Sequence, residues 1–349
     1  MERRKSRRVK VGNIYIGGSE RITVQSMLNR PATDIEGSVK QAVELEKAGC
    51  EIIRAAVPDM AAVKLIEKLK ENVSVPVVAD IHFDYRLALA SLEAGVDKIR
   101  INPGNIGSMD KVYAVAHACA AKSVPIRIGV NSGSVEKELL AKYGSPCAEA
   151  LAESAMKHVA LLEHCDFNDI VISIKSSSVP ITVKAYRLVA EKCDYPLHLG
   201  VTEAGTHNMA LIKSSAGIGS LLLDGIGDTI RVSMTDDPVK EVAAAVGILK
   251  AVGIRNEGVD IVSCPTCGRT RIDLISLANE AQERLSGCKK NIKVAVMGCA
   301  VNGPGEAREA DIGIAGGDGC ALIFKKGEIV CKVAENEAID RLVEEIEKL

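Results

Sequence analysis

Aromatic side chains are scarce in this chain, which has no tryptophan, three phenylalanines and six tyrosines among 349 residues. Proteins that hold nucleobases or flavins by stacking need aromatic platforms, and few can be built from this composition. The formal net charge of −2 also offers no general attraction for phosphate backbones. Both shortages argue against a dedicated nucleic-acid binder, and we predict no nucleic-acid partner.

Long apolar runs are missing as well, since no stretch reaches the roughly 18 residues that a membrane-spanning helix needs. The basic start "MERRKSRRVK" has no apolar stretch after it, so it does not resemble a secretory signal, and we interpret it as a solvated arm. Eleven cysteines are spread over the chain, whereas a secreted disulfide framework would be denser. The sequence therefore predicts a cytoplasmic protein without membrane contact.

Short β-branched runs recur through the first 250 residues, each followed by apolar residues at helical spacing. Eight strands that alternate with eight helices over about 250 residues predict a (β/α)8 TIM barrel, which we assign to residues 1–255. An open doubly wound sheet would need a phosphate-binding glycine fingerprint after its first strand, and none is present. The runs begin at Ile22, Ile52, Val77, Lys98, Ile126, Ile170, Leu197 and Thr229.

Polar residues are concentrated where these predicted strands end, which is where TIM barrels place their chemistry. Residues two apart in a strand share a face, so pairs such as Arg100 and Asn102 are expected to point into the barrel mouth together. The predicted substrate-binding set is Arg54, Asp80, His82, Arg100, Asn102, Arg127, Asn131, Ser173, Lys175, His198, Thr202, Arg231 and Ser233.

Four arginines and one lysine in this set would repel one another unless an anion lies between them. Only two carboxylates, Asp80 and Glu203, are near enough in the pattern to balance them. The planar guanidinium fork suits phosphate oxygens, so we predict a site for an organic diphosphate. Glu203, a carboxyl group among cations, is the candidate proton donor or acceptor; alternatively it only balances the arginines.

The barrel pattern stops near residue 255, and a compact α+β domain is predicted over residues 256–349. It contains "CPTCGRT", with Cys264 and Cys267, and "MGCAVNGPGEAREADIGIAGG", with Cys299. The close pair could form a disulfide, bind zinc or hold part of an iron–sulfur cluster. A zinc ribbon would need a second closely spaced pair of cysteines. The spacing therefore favours a [4Fe–4S] cluster whose fourth iron takes a ligand other than cysteine. Glu306 in the same loop is a candidate.

Nine stretches, from "ITVQSM" near residue 22 to the glycine-rich segment around Cys299, make the chain resemble one family over nearly its whole length. They include "VVADIHFD", "KIRINPGNIG", "PIRIGVNSGS", "LHLGVTEAG" and "GIGDTIRVSM". The family is that of the bacterial 4-hydroxy-3-methylbut-2-enyl diphosphate synthases of the methylerythritol phosphate isoprenoid pathway. The chain resembles the short two-domain form of this family, without an extra middle domain.

The resemblance implies reductive ring opening of methylerythritol cyclodiphosphate, with two electrons entering and water leaving. It implies Glu203 as the catalytic carboxylate, flavodoxin or ferredoxin as electron donor, and a head-to-tail homodimer. The cluster ligands implied are Cys264, Cys267, Cys299 and Glu306. The diphosphate-binding residues implied are Arg54, Arg100, Arg127, Asn131, Lys175, Thr202, Arg231 and Ser233.

Two rival functions share some of these features. A pterin- or corrinoid-dependent TIM-barrel transferase with a structural metal domain would share the barrel and the anion site but would need no reductant. A zinc-stabilised module that binds nucleic acid would need a basic surface, and the near-neutral charge weighs against it.

Overall fold

A computed structural model describes residues 2–300 and 307–349. The chain divides into two compact units, residues 1–252 and residues 253–349. Among the described residues, no helix is both long and apolar enough to cross a membrane.

The N-terminal segment forms an antiparallel hairpin of β1 (Val9–Val11) and β2 (Ile14–Ile16), which the sequence patterns did not predict. Its apolar side chains pack against Ile52, Val78 and Val171 of three later strands. The hairpin therefore covers apolar residues of the barrel rather than extending into solvent.

The basic residues before this hairpin are bound to the barrel as well. Arg3 donates to the backbone oxygens of Glu20 and Gly227 and pairs with Asp228 at 3.3 Å. Arg4 donates to the backbone oxygen of Cys193 at 2.6 Å. The interpretation as a solvated arm is thus wrong for these two residues, because their donors satisfy carbonyl groups at strand and helix ends.

Eight parallel strands follow, and each of the eight predicted runs contains one of them. The strands are β3 (Thr23–Met27), β4 (Ile52–Ala56), β5 (Val77–Asp80), β6 (Lys98–Ile101), β7 (Ile126–Asn131), β8 (Ile170–Lys175), β9 (His198–Leu199) and β10 (Thr229–Ile230). Their order in the sheet is β8-β7-β6-β5-β4-β3-β10-β9, and a parallel bridge from Ile172 to Leu197 brings the two ends together. The predicted TIM barrel is confirmed.

Helices lie between successive strands and after the last one. They are α1 (Ile35–Lys47), α2 (Val63–Asn72), α3 (Tyr85–Glu93), α4 (Pro103–Ile106), α5 (Met109–Lys122), α6 (Lys137–Tyr143), α7 (Ala148–Glu163), α8 (Val179–Lys192), α9 (His207–Leu223) and α10 (Pro238–Ala251). Side-chain caps begin several of them; the Asp34 carboxylate, for example, accepts the Gly37 N–H at 3.0 Å. The short helices α4 and α6 were not predicted, and both follow strands whose ends carry predicted site residues.

The second unit is a five-stranded sheet in the order β11-β12-β13-β14-β15, with its first three strands parallel and its last three antiparallel. Two helices pack their apolar faces against it through residues such as Leu277 and Leu342. The elements are β11 (Val259–Ser263), α11 (Leu274–Arg284), β12 (Ile292–Met297), β13 (Ile312–Gly317), β14 (Cys320–Lys325), β15 (Glu328–Ala334) and α12 (Ala338–Glu347).

Candidate active site at the barrel mouth

A buried carboxylate joins two of the predicted arginines. Asp80, the last residue of β5, accepts hydrogen bonds from Arg54 at 3.0 Å and from Arg100 at 3.1 Å. The Nε2 atom of His82 lies 3.4 Å from the same carboxylate. Burial alone would raise the pKa of Asp80, but Arg54, His82 and Arg100 together hold it well below its usual range. Asp80 is therefore ionised and fixes the positions of both guanidinium groups.

Deeper in the barrel, basic side chains are buried with donors left over. Arg127 is 1% exposed, and its Nε and one terminal nitrogen have no partner among the described residues. The same holds for the Nζ of Lys98, a residue that strand-end reasoning missed because it begins β6. Burial lowers the pKa of Lys98, Arg127 and Lys175, and nearby cations lower each further. Such a cluster is suited to a multiply charged anion, which would relieve the repulsion.

The buried carboxylate that compensates Arg231 is Glu241 rather than Glu203, which corrects the sequence interpretation of charge balance. Glu241 lies 3.4 Å from Arg231 and accepts hydrogen bonds from Ser26 and the Met234 N–H, both at 3.1 Å. It lies on the buried face of α10, not at a strand end, so a search of strand ends could not find it. The sequence did offer one signal for Glu241, because it is a charged residue within the apolar stripe of the amphipathic helix α10.

A pocket of about 300 Å³ is lined by Arg100, whereas Arg54, Lys98, Arg127, Lys175 and Arg231 are not in its lining. It brings together six of the predicted site residues: His82, Arg100, Asn102, Asn131, Thr202 and Glu203. Its remaining lining was not predicted and comes from Asn105, Ser132, Gly133 and Ser134. The last three form a short 3-10 turn directly after β7, and the polar, glycine-containing "NSGS" there was the signal that could have found them.

Other predicted residues lie outside this lining. His198 is fully buried in β9, and both of its ring nitrogens lack a partner within residues 2–300 and 307–349. Ser173 is also buried in its strand, while Ser233 is half-buried after β10. Their assignment to the substrate stays a prediction.

Glu203 is exposed at the pocket and has a strained backbone. Its φ of 50° lies in the left-handed region, which non-glycine residues seldom adopt. Gly205, two residues on, also has a positive φ, 104°. Strain of this kind, roughly 1–3 kcal/mol per residue, concentrates at functional sites. The turn directs residues 202 and 203 to the pocket edge.

In the second unit, hydrogen bonds join the end of β12 to the segment after β11 that contains Cys264 and Cys267. The Gly298 N–H donates to the Cys264 sulfur at 3.2 Å, and the Arg271 N–H donates to the Gly298 carbonyl at 2.9 Å. Since Cys299 follows Gly298, these bonds bring the backbone beside the third cysteine to the loop of the first two.

The donor chemistry here fits an iron–sulfur cluster. Hydrogen bonds from the Arg269 backbone and side chain lower the pKa of Cys267, which is exposed, and thiolate is the ligating form. An N–H bonded to a cysteine sulfur, as at Cys264, is a recurring feature around such clusters. In residues 2–300 and 307–349, no three side chains of Cys, His, Asp or Glu are grouped closely enough to hold a metal. Glu306, the predicted fourth ligand, lies outside the described residues.

Comparison with protein families finds two matching models. Residues 6–246 match the GcpE TIM-barrel domain, and residues 260–348 match the GcpE protein C-terminal domain. The chain belongs to the GcpE family.

Curated relatives of this GcpE family chain match it from end to end. Proteins named "4-hydroxy-3-methylbut-2-en-1-yl diphosphate synthase (flavodoxin)" from Clostridium perfringens and Clostridium acetobutylicum are 60% and 58% identical to it over 349 residues, with 100% of each chain covered. The predicted family and enzyme class are confirmed by these comparisons.

Solved structures with a similar fold are more distant. Dihydropteroate synthase from Stenotrophomonas maltophilia aligns with a TM-score of 0.53 and 16% identity, covering 70% of this chain and 97% of that chain. The Yersinia pestis dihydropteroate synthase gives a TM-score of 0.50 at the same identity and coverage. At this identity the likeness shows the barrel fold alone, so it does not favour the transferase alternative.

Proposed function

We propose that this chain produces 4-hydroxy-3-methylbut-2-enyl diphosphate from 2-C-methyl-D-erythritol 2,4-cyclodiphosphate by reductive ring opening. Two electrons and a proton enter, the bond between a ring carbon and a phosphate oxygen breaks, and a hydroxyl group takes up the proton and leaves as water. The observation that carries the proposal is that a full-length relative at 60% identity bears the name of this product. The buried cations of the barrel mouth, which a diphosphate needs, agree with it.

The barrel cations would bind the diphosphate before any bond changes. Arg54 and Arg100 are preorganised by Asp80, so their guanidinium groups need little rearrangement when phosphate oxygens arrive. Lys175 and Arg127 lie among these cations without a full set of countercharges. Orienting the diphosphate in this way fixes the carbon skeleton in the pocket above.

Glu203 would exchange a proton with the departing oxygen. Its place in the lining of the pocket that Asn102 and Asn131 also line, on a strained turn, supports this role. A positioned acid of this kind typically contributes about 10²–10⁴ in rate.

A [4Fe–4S] cluster, when bound, would supply electrons singly and an iron that acts as a Lewis acid. The residues that would hold it are Cys264, Cys267, Cys299 and Glu306. The hydrogen bonds of Gly298 to Cys264 and to Arg271 support this assignment by joining the two cysteine segments. The relatives' names include flavodoxin, which supports flavodoxin over ferredoxin as the electron donor. We also expect the chain to pair as a head-to-tail homodimer and to act in the cytoplasm.

The deciding experiment uses protein purified without oxygen. Iron content and visible absorption are measured first, and then the cyclodiphosphate is added with reduced flavodoxin. About four irons per chain, a broad absorption band that bleaches on reduction, and formation of the linear diphosphate by mass spectrometry are expected. Zinc in place of iron, with no turnover, would overturn the proposal. Light scattering of the same sample tests the homodimer.

A further inference from the structure

A pair formed by a buried histidine and a half-buried glutamate lies outside the lining of the pocket. His158, on α7, is 2% exposed, and its Nε2 lies 2.9 Å from the Oε1 of Glu136. Glu136 immediately precedes α6, in the segment that follows β7. We propose that His158 and Glu136 are a positioning pair that fixes the two loops forming one wall of the substrate pocket.

The Nε2 atom of His158 lies close to both of these loops. It is bonded to Glu136, in the loop after β7. It also lies close to Gly104 in α4, after β6: a Cβ atom added at residue 104 would be 2.9 Å from Nε2. A side chain larger than that of glycine at residue 104 would therefore have to displace the ring or the loop.

The same two loops provide most of the polar pocket wall. Asn102 and Asn105 come from the first loop, and Asn131 and Ser134 come from the second. At the front of the wall the two loops are joined through Asn102 and Ser134, at 3.5 Å. This bond is at the outer limit of hydrogen-bond length, whereas the 2.9 Å contact of His158 with Glu136 joins the second loop to α7 at a shorter distance.

The side-chain choice also indicates a specific role. The other buried residues of α7 are mostly alanine, leucine and valine, which fill the interior without needing partners. Glu136 precedes α6 but does not use its side chain to cap that helix. Burial would raise the pKa of Glu136, but its hydrogen bond from His158 contributes to lowering it to about 2. A pair of this kind can fix one arrangement of neighbouring segments.

The test compares two variants of His158 in the oxygen-free enzyme. His158→Leu keeps a similar volume but removes the donor, while His158→Gln keeps an amide N–H that can reach Glu136. His164→Leu, at the exposed end of the same helix, is the matched control. Because a loosened wall must be ordered when substrate binds, we expect KM to rise about tenfold in His158→Leu, with kcat within about twofold. His158→Gln should restore most of the affinity.

A purely structural role would lower thermal stability without this split between KM and kcat, and the glutamine variant would behave like the leucine variant. The proposal is overturned if stability falls without a rise of KM relative to kcat, if His158→Gln behaves like His158→Leu, or if KM is unchanged in His158→Leu. If His158→Leu fails to fold, Gly104→Ala is the alternative test, because its added methyl group would meet His158 and displace the loop after β6. An unchanged KM in Gly104→Ala would also refute the proposal.

The inference rests on the proposed function, since KM refers to that reaction. Hydrogen exchange of residues 102–107 and 131–136 is therefore measured as well, because it needs no turnover. Faster exchange in His158→Leu than in His164→Leu supports the positioning pair, and equal exchange refutes it. A wild-type enzyme without turnover would instead defeat the proposed function, so the two failures are distinguishable.

Discussion

The carboxylate of Asp80 accepts a hydrogen bond from Arg100 at 3.1 Å in a part of the barrel where Asp80 is completely buried. Its other oxygen accepts from Arg54, so a single anion orients two cations. This relationship explains how a barrel mouth rich in positive charge is stable before any substrate arrives.

Replacing Asp80 with asparagine should destabilise the protein, because Arg54 and Arg100 would be left as poorly compensated buried charges. Breaking a buried pair in this way costs about 3–5 kcal/mol, which corresponds to a melting temperature lower by roughly 6–20 °C for a domain of this size. The matched control is Asp224→Asn, which loses an exposed pair with Arg187 and should cost less than about 1 kcal/mol. Equal melting temperatures of the two variants would contradict the role given to Asp80.

The depressed pKa of Asp80 also predicts a direction for acid sensitivity. The folded-state pKa lies below the unfolded one, so this stabilisation is complete above the unfolded pKa and is lost as pH falls through the folded pKa. Asp80→Asn should therefore lose more stability, relative to wild type, at pH 7 than at strongly acid pH. Urea unfolding at several pH values measures this difference.

Binding of the cyclodiphosphate without reductant should be accompanied by proton uptake. Burial and neighbouring cations lower the pKa of Lys175, and a bound anion favours the protonated amine, so its pKa rises in the complex. Affinity should consequently fall as pH rises. Calorimetry in two buffers of different ionisation enthalpy measures the protons directly, and Lys175→Met should reduce the uptake. Net proton release would count against this account of the cation cluster.

Glu203→Gln should lower turnover about 100-fold while the dissociation constant of the substrate changes less than about twofold. The amide keeps the shape of the side chain but cannot exchange a proton. Glu44→Gln, on the exposed face of α1, is the control and should leave both values unchanged. Normal turnover in Glu203→Gln would remove this residue from proton transfer.

Serine at Cys264, Cys267 or Cys299 should each remove most of the bound iron and the visible absorption band, because a hydroxyl is a poor ligand for the cluster. Cys288→Ser is the matched control in the same unit, where Cys288 packs against the apolar core. Iron content and absorption of protein purified without oxygen check the outcome. If Cys288→Ser lost its iron while the variants at Cys264, Cys267 and Cys299 kept theirs, the assignment of ligands would be refuted.

Much of the fold was determined by sequence periodicity. Each of the eight predicted runs contains a barrel strand, because alternating strand and helix patterns leave few other ways to bury so many apolar residues. The polar strand ends at Arg54, Asp80 and Arg100 likewise identified the barrel mouth, since the carboxyl ends of parallel strands must meet there.

Tertiary structure alone decided which partners these residues have. Glu241 compensates Arg231 from a helix, Lys98 lies at the start of its strand, and Arg3 donates to the carbonyl of Gly227, 224 residues away. His158 and Glu136 are 22 residues apart along the chain, and only the packing of α7 brings the ring close to both loops. Sequence spacing specifies a residue's face on its own element, but contacts between elements depend on how those faces pack.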